Sequence, residues 1–93
     1  MPSIDSLREE IEAVDVRIIA MIAERVRLAK AVGCEKAAAG YPVIDPAREA
    51  AVVSRASVLA RANGLPEDDI RALYWRLVAM TRRVQLKTES SAR

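Results

Sequence analysis

Apolar residues recur at alternating steps of three and four over the first third of the chain. Ile4, Leu7, Ile11, Val14, Ile18, Met21, Leu28 and Val32 keep the register, and Arg25 takes one place in it. That spacing puts the side chains on one stripe of an α-helix, and about four such heptads make a coiled-coil-like seam. Ser6 with Glu9 has the spacing of a capping box, with Asp5 as a rival N-cap. Gly33 does not break the pattern, because residues 34–39 are mostly good helix formers. The run Gly40-Tyr41-Pro42 does break it, so the first helix is expected at about residues 5–39.

Two shorter helices follow. Asp45 is a good N-cap and Pro46 suits the first helical position. Val53, Ala56 and Ala60, flanked by Val52 and Leu59, supply an apolar stripe, and Asn63-Gly64 reads as the stop. The second helix is therefore expected at 46–63. Glu67, Asp68 and Asp69 suit the positive N-terminal end of a third helix. Ile70, Leu73, Tyr74, Leu77, Val78, Thr81 and Val84 carry its period, and the polar tail from Lys87 is expected to fray, giving 66–87. No internal repeat or low-complexity linker divides the chain. The expectation is one all-α domain over residues 1–93, with one long and two shorter helices.

The long helix implies a partner. Some 35 residues at 1.5 Å each span roughly 50 Å. A compact globule of this size has a radius of gyration near 12 Å and a diameter of roughly 32 Å. The seam runs nearly the whole helix, so its overhang needs a cover. A second copy supplies one, and an intertwined two-fold homodimer is expected with the first helix at the interface.

Composition narrows the chemistry. The 93 residues include 15 basic and 13 acidic ones, three aromatic ones, one cysteine and no histidine. A net charge of +2 is a weak bias that does not by itself point to nucleic acid. Three rings do not make a base-stacking platform. The lack of histidine removes His-based triads, metal sites and proton shuttles. Cys34 has no partner for an internal disulfide and reads as a small packing residue. No apolar run approaches the roughly 20 residues that span a bilayer. The N-terminus has no signal-peptide pattern, so a reducing cytoplasm is the expected location, with neither membrane nor nucleic acid as partner.

Polar residues within the apolar stripes carry the functional signal. Arg25 lies in the seam, and Lys36, 11 residues on, returns to within roughly 20° of it on the same face. A single such cation is ordinarily a salt bridge or a snorkelling side chain. Two on one face favour an anionic ligand. Thr81 and Gln85 continue the stripe of the third helix one turn apart. Arg48 and Glu49 open the second helix, where Glu49 also complements the helix dipole. The set is rich in cations and hydrogen-bond donors, with no nucleophile–base pair and no metal-ligand cluster. It suits a small polyanion, and a reaction driven by positioning and electrostatics.

The chain resembles the all-helical class of chorismate mutases. The resemblance rests on Leu7-Arg8-Glu9-Glu10-Ile11, Ile22-Ala23-Glu24-Arg25, Lys36, the run from Pro42 to Glu49, and Thr81 with Gln85. It covers nearly the whole chain, and the ordered spacing is more specific than any single residue. It implies the rearrangement of chorismate to prephenate without a cofactor. By the same resemblance, Arg8 reaches into the neighbouring subunit's site and Arg25 serves its own, each binding a substrate carboxylate. Lys36 and Gln85 donate to the ether oxygen of the breaking bond. Glu49, with the backbone at Asp45, holds the ring hydroxyl, and Arg48 orients the substrate. Thr81 stands where the family often has a serine near a carboxylate. Spacing agrees on one point. Arg8 and Arg25 point roughly 100° apart and lie about 25 Å apart along one helix, so a shared site needs an antiparallel neighbour.

Isochorismate pyruvate lyase shares this fold and a similar cationic pocket, but its substrate carries the ring hydroxyl elsewhere, and Glu49 favours the mutase. A mutase of 4-amino-4-deoxychorismate is a further alternative, because a carboxylate also suits an amine. A non-catalytic helical dimerisation module explains the heptads but not the inward-facing Arg25, Lys36 and Gln85. The chain is too short for an added dehydratase, dehydrogenase or amino-acid-sensing domain, so a monofunctional enzyme is expected.

Overall fold

The computed structural model describes residues 1–92, with side chains as far as Lys87. It contains α1 (Ile4–Ala39), α2 (Pro46–Ala62) and α3 (Glu67–Ala92), and no strand among the described residues. The fold is all-α, as the periodicity predicts.

The start of α1 differs from the expectation. Ser3, and neither Asp5 nor Ser6, is the N-cap. Its Oγ accepts the Ser6 N–H at 3.0 Å, while the Ser6 hydroxyl donates to the Ser3 carbonyl at 3.0 Å. Ser6 thus fills the third helical position of a reciprocal cap, and the Ser6–Glu9 spacing is not used as one. At the other end Gly40 adopts φ 76°, a left-handed conformation that glycine takes without strain. Its N–H donates to Ala37 at 3.2 Å and that of Tyr41 to Lys36 at 2.9 Å, closing the helix.

Asp45 caps α2, accepting the Arg48 N–H at 3.1 Å, and Pro46 sits in the first turn. Helix α2 ends at Ala62, one residue before the expected boundary, with Asn63 as its cap; the Asn63 amide donates to the Leu59 carbonyl at 2.8 Å. Helix α3 begins at Glu67, with the Pro66 carbonyl accepting from Ile70 at 3.1 Å. It continues to Ala92, beyond the expected end at 87. No glycine or proline interrupts residues 67–92, so nothing in the backbone chemistry stops it. Arg93, and the side chains of 88–92, lie outside the described residues.

Helix α3 packs against both other helices, whereas α1 and α2 do not pack on each other. The shape is a frame with a gap between α1 and α2, floored by α3. The buried apolar residues are few: Val43 in the connection, Val53, Ala56 and Ala60 on α2, and Val78 on α3. The turn between α2 and α3 is tied by polar contacts. Buried Ser57 donates to Glu67 at 3.1 Å and accepts from Arg71 at 2.9 Å, and Arg61 pairs with Glu67 at 3.0 Å. The Arg61 hydrogen bond, followed by that of Ser57, holds the Glu67 carboxyl below its ordinary value.

The protomer is elongated, 58 × 24 × 15 Å, with a radius of gyration of 16.6 Å. Residues 7–21 of α1 are exposed throughout, and their seam is bare: Ile11 is 59% exposed and Met21 64%. No helix among the described residues is long and apolar enough to cross a membrane. Cys34 is exposed in the protomer, not a packing residue. The buried position beside it is Gly33, against which Gln85 of α3 packs.

Candidate functional site

The gap between α1 and α2 is a cavity of about 450 Å³, within the range of small-molecule clefts. Its walls are the C-terminal half of α1, most of the length of α2 and the connection between them, with α3 behind. Arg25, Lys36, Asp45, Arg48, Glu49, Thr81 and Gln85 all line it. Arg8 does not: it is exposed on the bare end of α1, about 25 Å along the helix from Arg25. Leu28, Val32, Val52, Leu59 and Val78 give the cavity apolar walls. They hold its polar groups in a medium less screening than water.

Most of these polar groups are oriented by their neighbours. Arg25 donates from Nη1 to the Thr81 Oγ at 3.0 Å, and its guanidinium lies 5.8 Å from the centre of the Tyr74 ring. The Thr81 hydroxyl donates its single proton to the Leu77 carbonyl at 2.8 Å, so towards Arg25 it acts as an acceptor. Gln85 donates from Nε2 to the Ala29 carbonyl of α1 at 3.2 Å. That bond fixes which end of the amide is the donor, and the amide carries a second N–H. Lys36 reaches from the last turn of α1 to the Val43 carbonyl at 3.5 Å. Glu49, in the first turn of α2, receives both a 3.1 Å hydrogen bond from the Arg82 Nε and an ion pair from its Nη2. The Glu49 carboxylate raises the Arg82 guanidinium above its ordinary value.

Three participants escaped the reading of the sequence. Tyr74 keeps the apolar period of α3, yet its ring lies beside Arg25 in the cavity wall. Arg55 also lines the cavity, two turns after Arg48; that seven-residue spacing was the available signal. Arg82 follows the buried Val78 by four residues, a spacing that keeps it near the inner face of α3. Four cationic side chains, Arg25, Lys36, Arg48 and Arg55, line the cavity against two carboxylates, Asp45 and Glu49. This excess, with donors converging from α1 and α3, equips the cavity to hold a small anion and to stabilise negative charge developing on it.

Comparison with known proteins agrees with the chemistry of the cavity. The family profile described as chorismate mutase type II matches residues 7–86. Over 59 residues the chain is 39% identical to proteins named intracellular chorismate mutase from Mycobacterium bovis and Mycobacterium tuberculosis. That match covers 63% of this chain and 56% of each relative, so the shared region is little more than half of their length. A protein named T-protein from Enterobacter agglomerans is 33% identical over 73 residues, 78% of this chain and 20% of the relative. No solved structure matches the chain significantly.

Proposed function

The chain belongs to the chorismate mutase type II family, and from that premise we propose that its cavity converts chorismate to prephenate. The observation that carries this reading is the meeting of Arg25, Lys36, Glu49 and Gln85 in one apolar-walled cavity. The reaction is a concerted rearrangement: the ether C–O bond breaks as a new C–C bond forms. No proton is transferred, which suits a site of fixed cations and amides. What the site must supply is a compact reactive conformation of the enolpyruvyl side chain, and donors for the ether oxygen as it gains negative charge.

In this reading Arg25, steadied by Thr81 and Tyr74, binds one substrate carboxylate. Thr81 therefore serves the substrate through Arg25. Lys36 from α1 and the second N–H of Gln85 from α3 donate to the ether oxygen. Glu49 and the backbone at Asp45 hold the ring hydroxyl, and Arg48 helps to orient the substrate. Arg8 completes the site from the partner subunit, binding the other carboxylate. The support for a homodimer is the uncovered seam of α1, which a second antiparallel copy buries while bringing its own Arg8 beside this cavity. Residues 1–93 act as one helical domain of this type, working in the cytoplasm.

The test is turnover of chorismate and isochorismate by the purified protein, with the products identified. Prephenate formed mole for mole from chorismate supports the proposal. Pyruvate released from isochorismate, with no prephenate from chorismate, overturns it.

A further inference from the structure

Arg82 has no place in the roles described so far. It does not line the cavity, and it stands behind Glu49, which does. The two contacts from Nε and Nη2 engage both Glu49 oxygens in the fork geometry of arginine and carboxylate. The Glu49 side chain is 15% exposed and that of Arg82 39%. One face of the carboxylate thus meets the cavity, and the other is clamped by a guanidinium that is itself partly in solvent.

We infer that Arg82 is a positioning and specificity-determining residue, which turns Glu49 from a bare anion into a neutralised acceptor that selects a ring hydroxyl over a ring ammonium. This inference rests on the mutase reading above. An unpaired Glu49 carboxylate binds a cation more strongly than a neutral hydroxyl, because only the cation gains the charge–charge term. It also repels the carboxylates of a dianionic substrate. With Arg82 in place, an ammonium at the same ring position meets a carboxylate whose charge is already matched, and a second cation just behind it. A hydroxyl still finds a lone pair in a fixed direction and, being neutral, loses far less than an ammonium when the charge is matched. The clamp thus favours chorismate over 4-amino-4-deoxychorismate, whose ring amine is protonated near neutral pH. The ion pair leaves Glu49 in the geometry the hydroxyl needs and removes the charge that the amine would seek.

The experiment measures kcat/KM for chorismate and for 4-amino-4-deoxychorismate with wild type, Arg82→Met, Arg82→Gln and Arg82→Lys. The ratio of the two values on one preparation cancels the amount of folded enzyme, so a purely structural role for the α2–α3 ion pair does not move it. The expected result is a preference for chorismate in wild type that falls by about tenfold or more in both neutral variants. Arg82→Lys keeps the charge but not the two-point fork, so its preference falls between those of wild type and the neutral variants. A ratio unchanged in Arg82→Met and Arg82→Gln, with wild type still converting chorismate, overturns the role of Arg82 and leaves the mutase reading intact. A wild type that prefers the amino compound also overturns it. A wild type that converts neither compound overturns the mutase reading and this inference with it.

Discussion

Truncating Ile11 to alanine should weaken the proposed homodimer strongly while leaving each protomer's helices in place. Ile11 sits mid-seam in the bare half of α1 and is 59% exposed in the protomer. Fully burying an isoleucine side chain is worth about 1.5–3 kcal/mol. Covering the part still exposed therefore contributes about 1–2 kcal/mol from each copy. Two-fold symmetry counts the loss twice, so the dimer loses about 2–4 kcal/mol. At 1.4 kcal/mol per tenfold, the dissociation constant rises by roughly 30- to 700-fold. Sedimentation equilibrium over a dilution series reads this directly, with circular dichroism at the same concentrations checking helicity. Val16 is the control: it is 70% exposed but lies two residues past Val14, off the seam. Val16→Ala should leave the dissociation constant within about threefold of wild type. A wild type that is monomeric at every concentration, or an Ile11→Ala effect no larger than that of Val16→Ala, refutes the interface.

Three other outcomes follow from the geometry. Mixing Arg8→Ala with Arg25→Ala subunits should restore activity that neither homodimer has, because each mixed dimer assembles one intact site; subunit exchange without recovery contradicts a shared site. Gly33→Ala should raise stability by up to about 1 kcal/mol and keep activity, because the helix gains a better former and the new Cβ meets Gln85 at 3.4 Å, an ordinary contact; a lowered melting temperature contradicts this. The Glu67 carboxyl is held below its ordinary 4.5 by Arg61 and Ser57, so its stabilisation is present above pH 4.5 and is lost as pH falls through the lowered value. The gap in melting temperature between wild type and Glu67→Gln should therefore shrink as pH is lowered from 7 to about 3, and a constant gap contradicts the linkage.

The elements were legible because their signals are local. The seam of α1, Pro46 after a capping Asp45, and Gly40 and Gly64 are all written in a few adjacent residues. The start of α1 was misread because Ser6–Glu9 offers the more familiar cap, while the Ser3–Ser6 exchange that forms uses a weaker pattern. The far end of α3 was misread because polarity alone does not stop a helix that lacks glycine and proline. At the cavity, Arg25 and Lys36 stood out as cations on an apolar face. Arg82 and Arg55 did not, because solvated arginines on α2 and α3 look alike until the two helices are packed. The exposure of Cys34 was hidden for a related reason: only the approach of α3 shows that Gly33 is the contact position. Residue identity alone could not show that the Thr81 proton goes to Leu77 and its lone pair to Arg25.

On the proposed mechanism, donors in the cavity, Lys36 foremost, lower the barrier of the chorismate-to-prephenate rearrangement. The direct measurement is the initial rate of prephenate formation by wild type and by Lys36→Ala, against the spontaneous rate without protein, with circular dichroism confirming that both are folded. Clear catalysis by wild type is expected, with a loss of about 10²–10³ or more in kcat when the charged donor is removed. A folded Lys36→Ala within about threefold of wild type, or a wild type no faster than the spontaneous reaction, contradicts it.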